Sequence, residues 1–194
     1  MGRGRPIGFD REQALDKALM HFYERGYHGS GMSDLVETMG IARQSLYSAW
    51  GDKRGLFMEA VNRYGHAQEV MIQEILDRPG SPLQNIRDVF QVMGQIALDP
   101  NSPGCLVGNT IAELNEADEE IKRMLLSHFE TITAAIRATL VRAKEVGELP
   151  RGVNVRAIAS TFCCIAQGLF IATKLEADPE MVKDVLDTAM SLLE

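Results

Sequence analysis

Six side chains between Arg43 and Lys53 hold the densest chemistry in the chain: Arg43, Gln44, Ser45, Tyr47, Ser48 and Lys53. A guanidinium forks onto O6 and N7 of guanine, a glutamine amide bridges N6 and N7 of adenine, and serine hydroxyls suit either base edges or phosphate. Helix N-terminal amides and Lys53 suit phosphate oxygens. Arg3 and Arg5, in a basic N-terminal arm, have the reach for phosphate or an adjacent minor groove. The residue types point to duplex DNA. A different chemistry is offered by Cys105, which follows Pro103 and Gly104 at an expected helix start. Amide donors and the helix dipole favour a thiolate there, open to electrophiles or to oxidation to a sulfenic acid. The competing reading is a buried, inert thiol. Cys163 and Cys164 lie in an apolar helix beside Phe162 and read as packing residues. His21, His28, His66 and His128 show no paired ligand spacing, so neither a metal nor a cofactor is expected. The acidic cluster Glu113, Glu116, Asp118, Glu119 and Glu120 reads as a solvated helix start, and no nucleophile–base constellation argues for an enzyme.

The elements that must position these groups are helices. Apolar residues at three- and four-residue spacing predict a first helix over about Asp10–Arg25, with Asp10 as N-cap and Gly26 as its stop. Leu35 and Met39, then Leu46 and Trp50, mark two short helices on either side of Gly40, about Met32–Met39 and Ala42–Trp50. Two short helices joined this tightly form a helix-turn-helix, whose second helix can enter a major groove. A long fourth helix is expected from Asp52 to Leu76, ended by the break Asp77–Pro82. Five more follow, about Leu83–Ala97, Cys105–Leu114, Glu119–Lys144, Val153–Leu175 and Pro179–Leu193. The expected fold is all-α, with no strand.

Charge weighs against DNA only on average. The net charge is -7, but residues 1–60 hold eight basic and eight acidic residues, against twelve and nineteen in residues 61–194. A nucleic-acid module needs a local positive footprint, not a basic protein. The best apolar run, Ile158–Thr173, is interrupted by Ser160, Thr161, Gln167 and Gly168, so no transmembrane segment is expected. The basic N-terminus lacks a following apolar stretch, which leaves a cytoplasmic protein as the default.

The string over Gly4–Tyr64 resembles the TetR family of transcriptional regulators. It runs Gly4-Arg5-Pro6 and Phe9-Asp10, Gly26-Tyr27, Asp34-Leu35, then G-I-x-R-x-S-L-Y at Gly40–Tyr47 and G-D-K-x-x-L-F at Gly51–Phe57. The resemblance implies an N-terminal three-helix bundle over residues 1–51, reading DNA, and a six-helix domain over 52–194 for effector binding and dimerisation. It implies that Tyr47 and Lys53 touch backbone phosphate, and that a homodimer forms through the last two helices. The chain departs from the family at Gly31 and Ala42, where many relatives have a capping Ser or Thr; Ala42 offers no side-chain acceptor, at a cost of about 1 kcal/mol.

Ser102–Glu113 resembles the Gly-Cys-Leu stretch at helix six of a branch that includes repressors responding to reactive electrophiles and small unsaturated acids. By helix phase and family layout, Phe90, Met93, Cys105, Asn109, Met124, Phe129 and Phe162 are the expected effector-pocket residues, for a small neutral or weakly polar effector. Two heads on a dimer would read a palindromic operator with half-sites about one turn apart. The implied function is a repressor released from DNA when an effector shifts helix six and, through it, helix four. Two alternatives stay open: a thiol sensor acting through Cys105, and a ligand-independent structural DNA binder.

Overall fold

In a computed structural model, residues 8–113, 118–173 and 178–194 are described; Arg3 and Arg5 lie outside them. The described residues form nine α-helices and no strand: α1 (Arg11–Arg25), α2 (Met32–Met39), α3 (Arg43–Trp50), α4 (Lys53–Leu76), α5 (Pro82–Leu98), α6 (Leu106–Glu113), α7 (Glu119–Glu145), α8 (Val155–Thr173) and α9 (Pro179–Ser191). The element order is the one expected, with shifts at the ends. Helix α5 opens on Pro82, whose missing N–H costs nothing in a first turn, and Ser81 caps it. Helix α6 starts after Cys105, and α8 starts at Val155.

The first three helices and the start of α4 close around a small core. Ala14, Leu15, Ala18 and Phe22 of α1 are almost wholly buried. The Phe22 ring meets Phe57 edge-on at 5.0 Å, and Tyr27 approaches Phe57 at 4.8 Å. Burying a side chain such as Leu15 or Phe22 contributes about 1.5–3 kcal/mol. Arg11 clamps both carboxylate oxygens of Glu59 at 2.6 Å, and Arg63 pairs with Glu12 and Asp16, tying α1 to α4. Gly40 adopts a left-handed conformation (φ 69°) and its N–H reaches back to Val36 and Glu37, which ends α2 and sets the angle at which α3 leaves.

Helix α4 is the bridge. Leu56, Phe57, Ala60 and Val61 pack into the head, whereas Ile72, Ile75 and Leu76 are buried in the body. There α7 is the spine, packed on α4, α5 and α8, with α6 wedged against α4, α7 and α8, and α9 lying on α5. Gly94 makes that last contact possible, since a Cβ there would stand 2.6 Å from Leu186.

Helix α8 departs from expectation. Val155–Ala172 is long and apolar enough to cross a bilayer by length and composition, because Ser160, Thr161, Gln167 and Gly168 dilute its hydropathy too little; 33% of that window is buried within the chain. Its inward face is Ala159, Phe162, Cys163, Ala166, Leu169 and Phe170, while Arg156, Ala157, Ser160, Thr161, Cys164, Gly168 and Ile171 face out.

Candidate functional site

Helix α3 divides cleanly into two faces. Leu46 and Trp50 are buried, whereas Arg43, Gln44, Tyr47 and Ser48 are exposed and Ser45 is half-buried. Tyr47 is 43% exposed, so it is not a core aromatic in this chain. The Arg43 guanidinium lies 5.9 Å from the Tyr47 ring centroid, and Ser48 donates to the Gln44 carbonyl at 2.9 Å. No side chain caps α3 at Ala42 or α2 at Gly31. The first amides of α3 therefore remain available to an anion.

Lys53 sits at the head–body joint. Its ammonium lies 4.3 Å from the centroid of Tyr27, and burial lowers its pKa while the nearby Glu113 carboxylate opposes that shift. Phe9 and Arg11 both lie against Trp50, at 6.0 and 5.0 Å from its ring, which anchors the root of the N-terminal arm beside α3.

Within the body, α4, α5, α6, α7 and α8 enclose a cavity of about 30 Å³, enough for a couple of water molecules. Of the expected pocket residues, Phe90, Met93, Phe129 and Phe162 line it, with Phe90 and Phe162 in an edge-on pair at 4.6 Å. Cys105, Asn109 and Met124 do not. Asn109 instead donates to the Pro103 carbonyl, bracing the loop ahead of α6, and Met124 packs partly buried against the core. Cys105 is 1% exposed and its sulfur accepts the Gly108 N–H at 3.5 Å, so a reagent must open the wall to reach it. Cys163 borders the cavity; burial pushes its thiol pKa up, against the Thr133 hydroxyl that donates to it at 3.1 Å.

Three features were not foreseen from sequence. His128 lines the cavity with Nδ1 at 2.5 Å from Glu69 Oε1, and Gln167 faces it from α8. A signal existed: Glu69 falls in phase with Val61, Gly65 and Ile72 on α4, and His128 with Ile121, Leu125 and Ile136 on α7, both on buried stripes. Gly65 is needed there, since a Cβ would lie 2.6 Å from the imidazole.

The acidic cluster is the third: Glu119 and Glu120 are exposed in the first turn of α7, as a solvated helix start requires, but Glu113 and Asp118 are partly buried and engaged. Glu113, at the end of α6, accepts from the Tyr27 amide at 2.7 Å and from His28 at 3.4 Å. A side chain on Gly26 (φ 69°) would collide with it. Arg54 holds both oxygens of Asp118, at 2.9 and 2.7 Å, and Glu120 at 2.9 Å. At the other end of the same unit, the Tyr23 hydroxyl donates to the Gly104 carbonyl at 2.5 Å. Helix α6 thus touches the cavity through Val107 and the head through Glu113. Among the described residues there is no cluster of three or more metal-ligating side chains.

Comparison with known proteins agrees with this geometry. Residues 14–60 match the model for bacterial regulatory proteins of the tetR family, and residues 82–189 match a tetracyclin repressor-like C-terminal domain. An uncharacterized HTH-type transcriptional regulator, YezE of Bacillus subtilis (strain 168), is 34% identical over 98% of this chain and 100% of its own length. The HTH-type transcriptional repressor ComR of Escherichia coli (strain K12) is 28% identical over 98% of this chain and 91% of its own. Among solved structures, a cysteine-substituted TetR-family regulator CifR, complexed with a 26 bp double-strand operator DNA, superposes with a TM-score of 0.86 at 26% identity. It covers 98% of this chain and 100% of that one. The chain belongs to the TetR family and is a sequence-specific DNA-binding transcriptional regulator.

Proposed function

We infer that the chain is an effector-controlled repressor that binds a palindromic operator as a homodimer in the cytoplasm. Residues 1–51 form the reading head and 52–194 the sensing and dimerising body. The observation that carries this reading is the continuous path cavity–α6–turn: Val107 on the cavity wall and Glu113 on the Tyr27 amide belong to one eight-residue helix. A ligand that moves α6 must therefore move or release the head. Repression is the activity of the relative ComR.

On the head, Arg43 and Gln44 would read base edges, Ser45 and Ser48 base edges or phosphate, and Tyr47, Lys53 and the α3 amides would hold phosphate. Arg3 and Arg5 would extend the contact along the duplex. Lys53 must leave the Tyr27 ring to do so. Dimerisation through α8 and α9 is supported by the outward row of small residues on α8, which permits close helix approach.

The test is a fluorescence-anisotropy titration of reduced protein against the DNA flanking its own gene, beside a scrambled duplex at the same salt. A preference of about a thousandfold is expected. Equal weak binding to both duplexes would overturn the specific-repressor reading for that DNA. Exposure of the bound complex to a thiol reagent then separates the rival: release that survives Cys105→Ser removes any sensor role for that buried thiol.

A further inference from the structure

The cavity walls are hydrocarbon or aromatic except at Gln68, His128, Cys163 and Gln167. Two polar atoms there are buried and have no hydrogen-bond partner among the described residues: Nε2 of His128 and Oε1 of Gln167. The His128 side chain is 8% exposed. A protein loses stability by burying such groups unpaired, so a pair of them on two residues that line one cavity points to where a ligand's polar end belongs. His21 and Trp50 also carry unpartnered ring nitrogens, but neither borders this cavity.

The hydrogen-bonding sense of the site follows from Glu69. A carboxylate can only accept, so the 2.5 Å contact places a hydrogen on Nδ1 of His128. In the singly protonated ring that hydrogen leaves a lone pair at Nε2, and the site has this hydrogen-bonding sense in that form of the ring. The Gln167 carbonyl oxygen is an acceptor too. Both unpaired atoms therefore ask for donors, with a carboxylate behind one of them. An anion would be opposed by all three, and a pure hydrocarbon would leave both acceptors unsatisfied.

We propose that this cavity takes a small neutral molecule with an apolar body and a hydroxyl group, whose hydrogen is donated to Nε2 of His128, with the Gln167 carbonyl available to a second donor. The proposal rests on the reading of the chain as an effector-controlled regulator. Occupancy would also be transmitted. A ring-sized ligand exceeds the 30 Å³ available and must spread the walls. One wall is Val107, and Gly108 beside it is already so close to Gln167 that a Cβ would lie 2.6 Å from Oε1. The pressure falls on α6, whose far end holds the Tyr27 amide.

Isothermal titration of the full-length protein with volume-matched probes tests this. The probes are phenol against toluene and benzoate, and cyclopentanol against methylcyclopentane. The hydroxyl compounds should bind at least about tenfold more tightly than their methyl counterparts, with benzoate weakest. His128→Leu removes the acceptor itself, so it should reduce the hydroxyl preference to within about threefold. If that variant does not fold, the comparison on the natural protein decides alone. Equal binding of hydroxyl and methyl probes, or tightest binding of benzoate, overturns the proposal. So does no binding of any probe to protein that still discriminates its operator, an outcome that leaves the DNA-reading function standing. Loss of operator discrimination itself would instead sink the underlying reading.

Discussion

Arg43 and Ala42 are neighbours with opposite consequences. Arg43 is exposed on α3 and bonded to no carboxylate in the described structure, and it lies beside Tyr47 on the face away from the core. If it forks onto a guanine, Arg43→Ala should cost about 1–3 kcal/mol of operator affinity while changing non-specific binding little. Titrations against operator and scrambled duplex check this, and equal losses in both would reduce Arg43 to a phosphate contact. Ala42 stands in N-cap geometry (φ -71°, ψ 145°) but offers no acceptor to the first turn. Ala42→Ser should therefore raise the head's stability by about 0.5–2 kcal/mol, read from thermal or urea unfolding. These sites were legible in sequence because exposure on a short helix follows from its apolar phase: with Leu46 and Trp50 inward, Arg43, Gln44, Tyr47 and Ser48 must face out. The cavity was half legible for the same reason. Phase places Phe90, Met93, Phe129 and Phe162 inward, but cannot say that a carboxylate on α4 meets an imidazole on α7, a pairing 59 residues apart.

Helix α6 is short, and its two functional contacts come from opposite ends, so its behaviour is a property of the element. A hydrogen bond to a charged acceptor contributes about 1.5–3 kcal/mol. Glu113→Ala should thus speed amide exchange at Tyr27 at least about tenfold, with α7 unaffected and partial recovery in Glu113→Gln; hydrogen exchange with residue resolution reads it. The second tie is pH-sensitive. Hydrogen bonds from Arg54 hold the Asp118 carboxyl below its usual range. A folded pKa below the unfolded value near 3.9 means the stabilisation is complete above roughly pH 4 and is lost as pH falls through the lower folded value. The head–body tie should loosen only in acid below that point, and Arg54→Met should return the Asp118 titration to the ordinary range, measured by carboxyl carbon chemical shifts. The solvated helix start expected from sequence, where a run of Glu and Asp beside a connector is ordinarily solvated, holds for Glu119 and Glu120 but not for Glu113 and Asp118. Only the folded chain brings Arg54 and the Tyr27 amide against them.

For the whole molecule, the decisive fact is how little of α8 one chain covers. Its Val155–Ala172 window is apolar enough for a bilayer and only 33% buried, yet between Arg156 and Ile171, exposed near its two ends, the outward residues are the small Ala157, Ser160, Thr161, Cys164 and Gly168. A lipid-facing stripe would carry large aliphatic side chains, whereas a row of small residues suits the close approach of a second helix of the same kind. Two-fold pairing places that row against itself, so one substitution enters the interface twice. Gly168→Glu would set like charges together at the seam without touching either the head or the inward face of α8. The expected outcome is a monomer by analytical ultracentrifugation, with the helical content and head stability of the natural chain. Operator affinity should fall towards the non-specific level, because one small head buries too little DNA surface for specific binding. A variant that stays dimeric with full operator affinity would move the interface off α8, and the spacing of the two reading helices would then have to be set elsewhere.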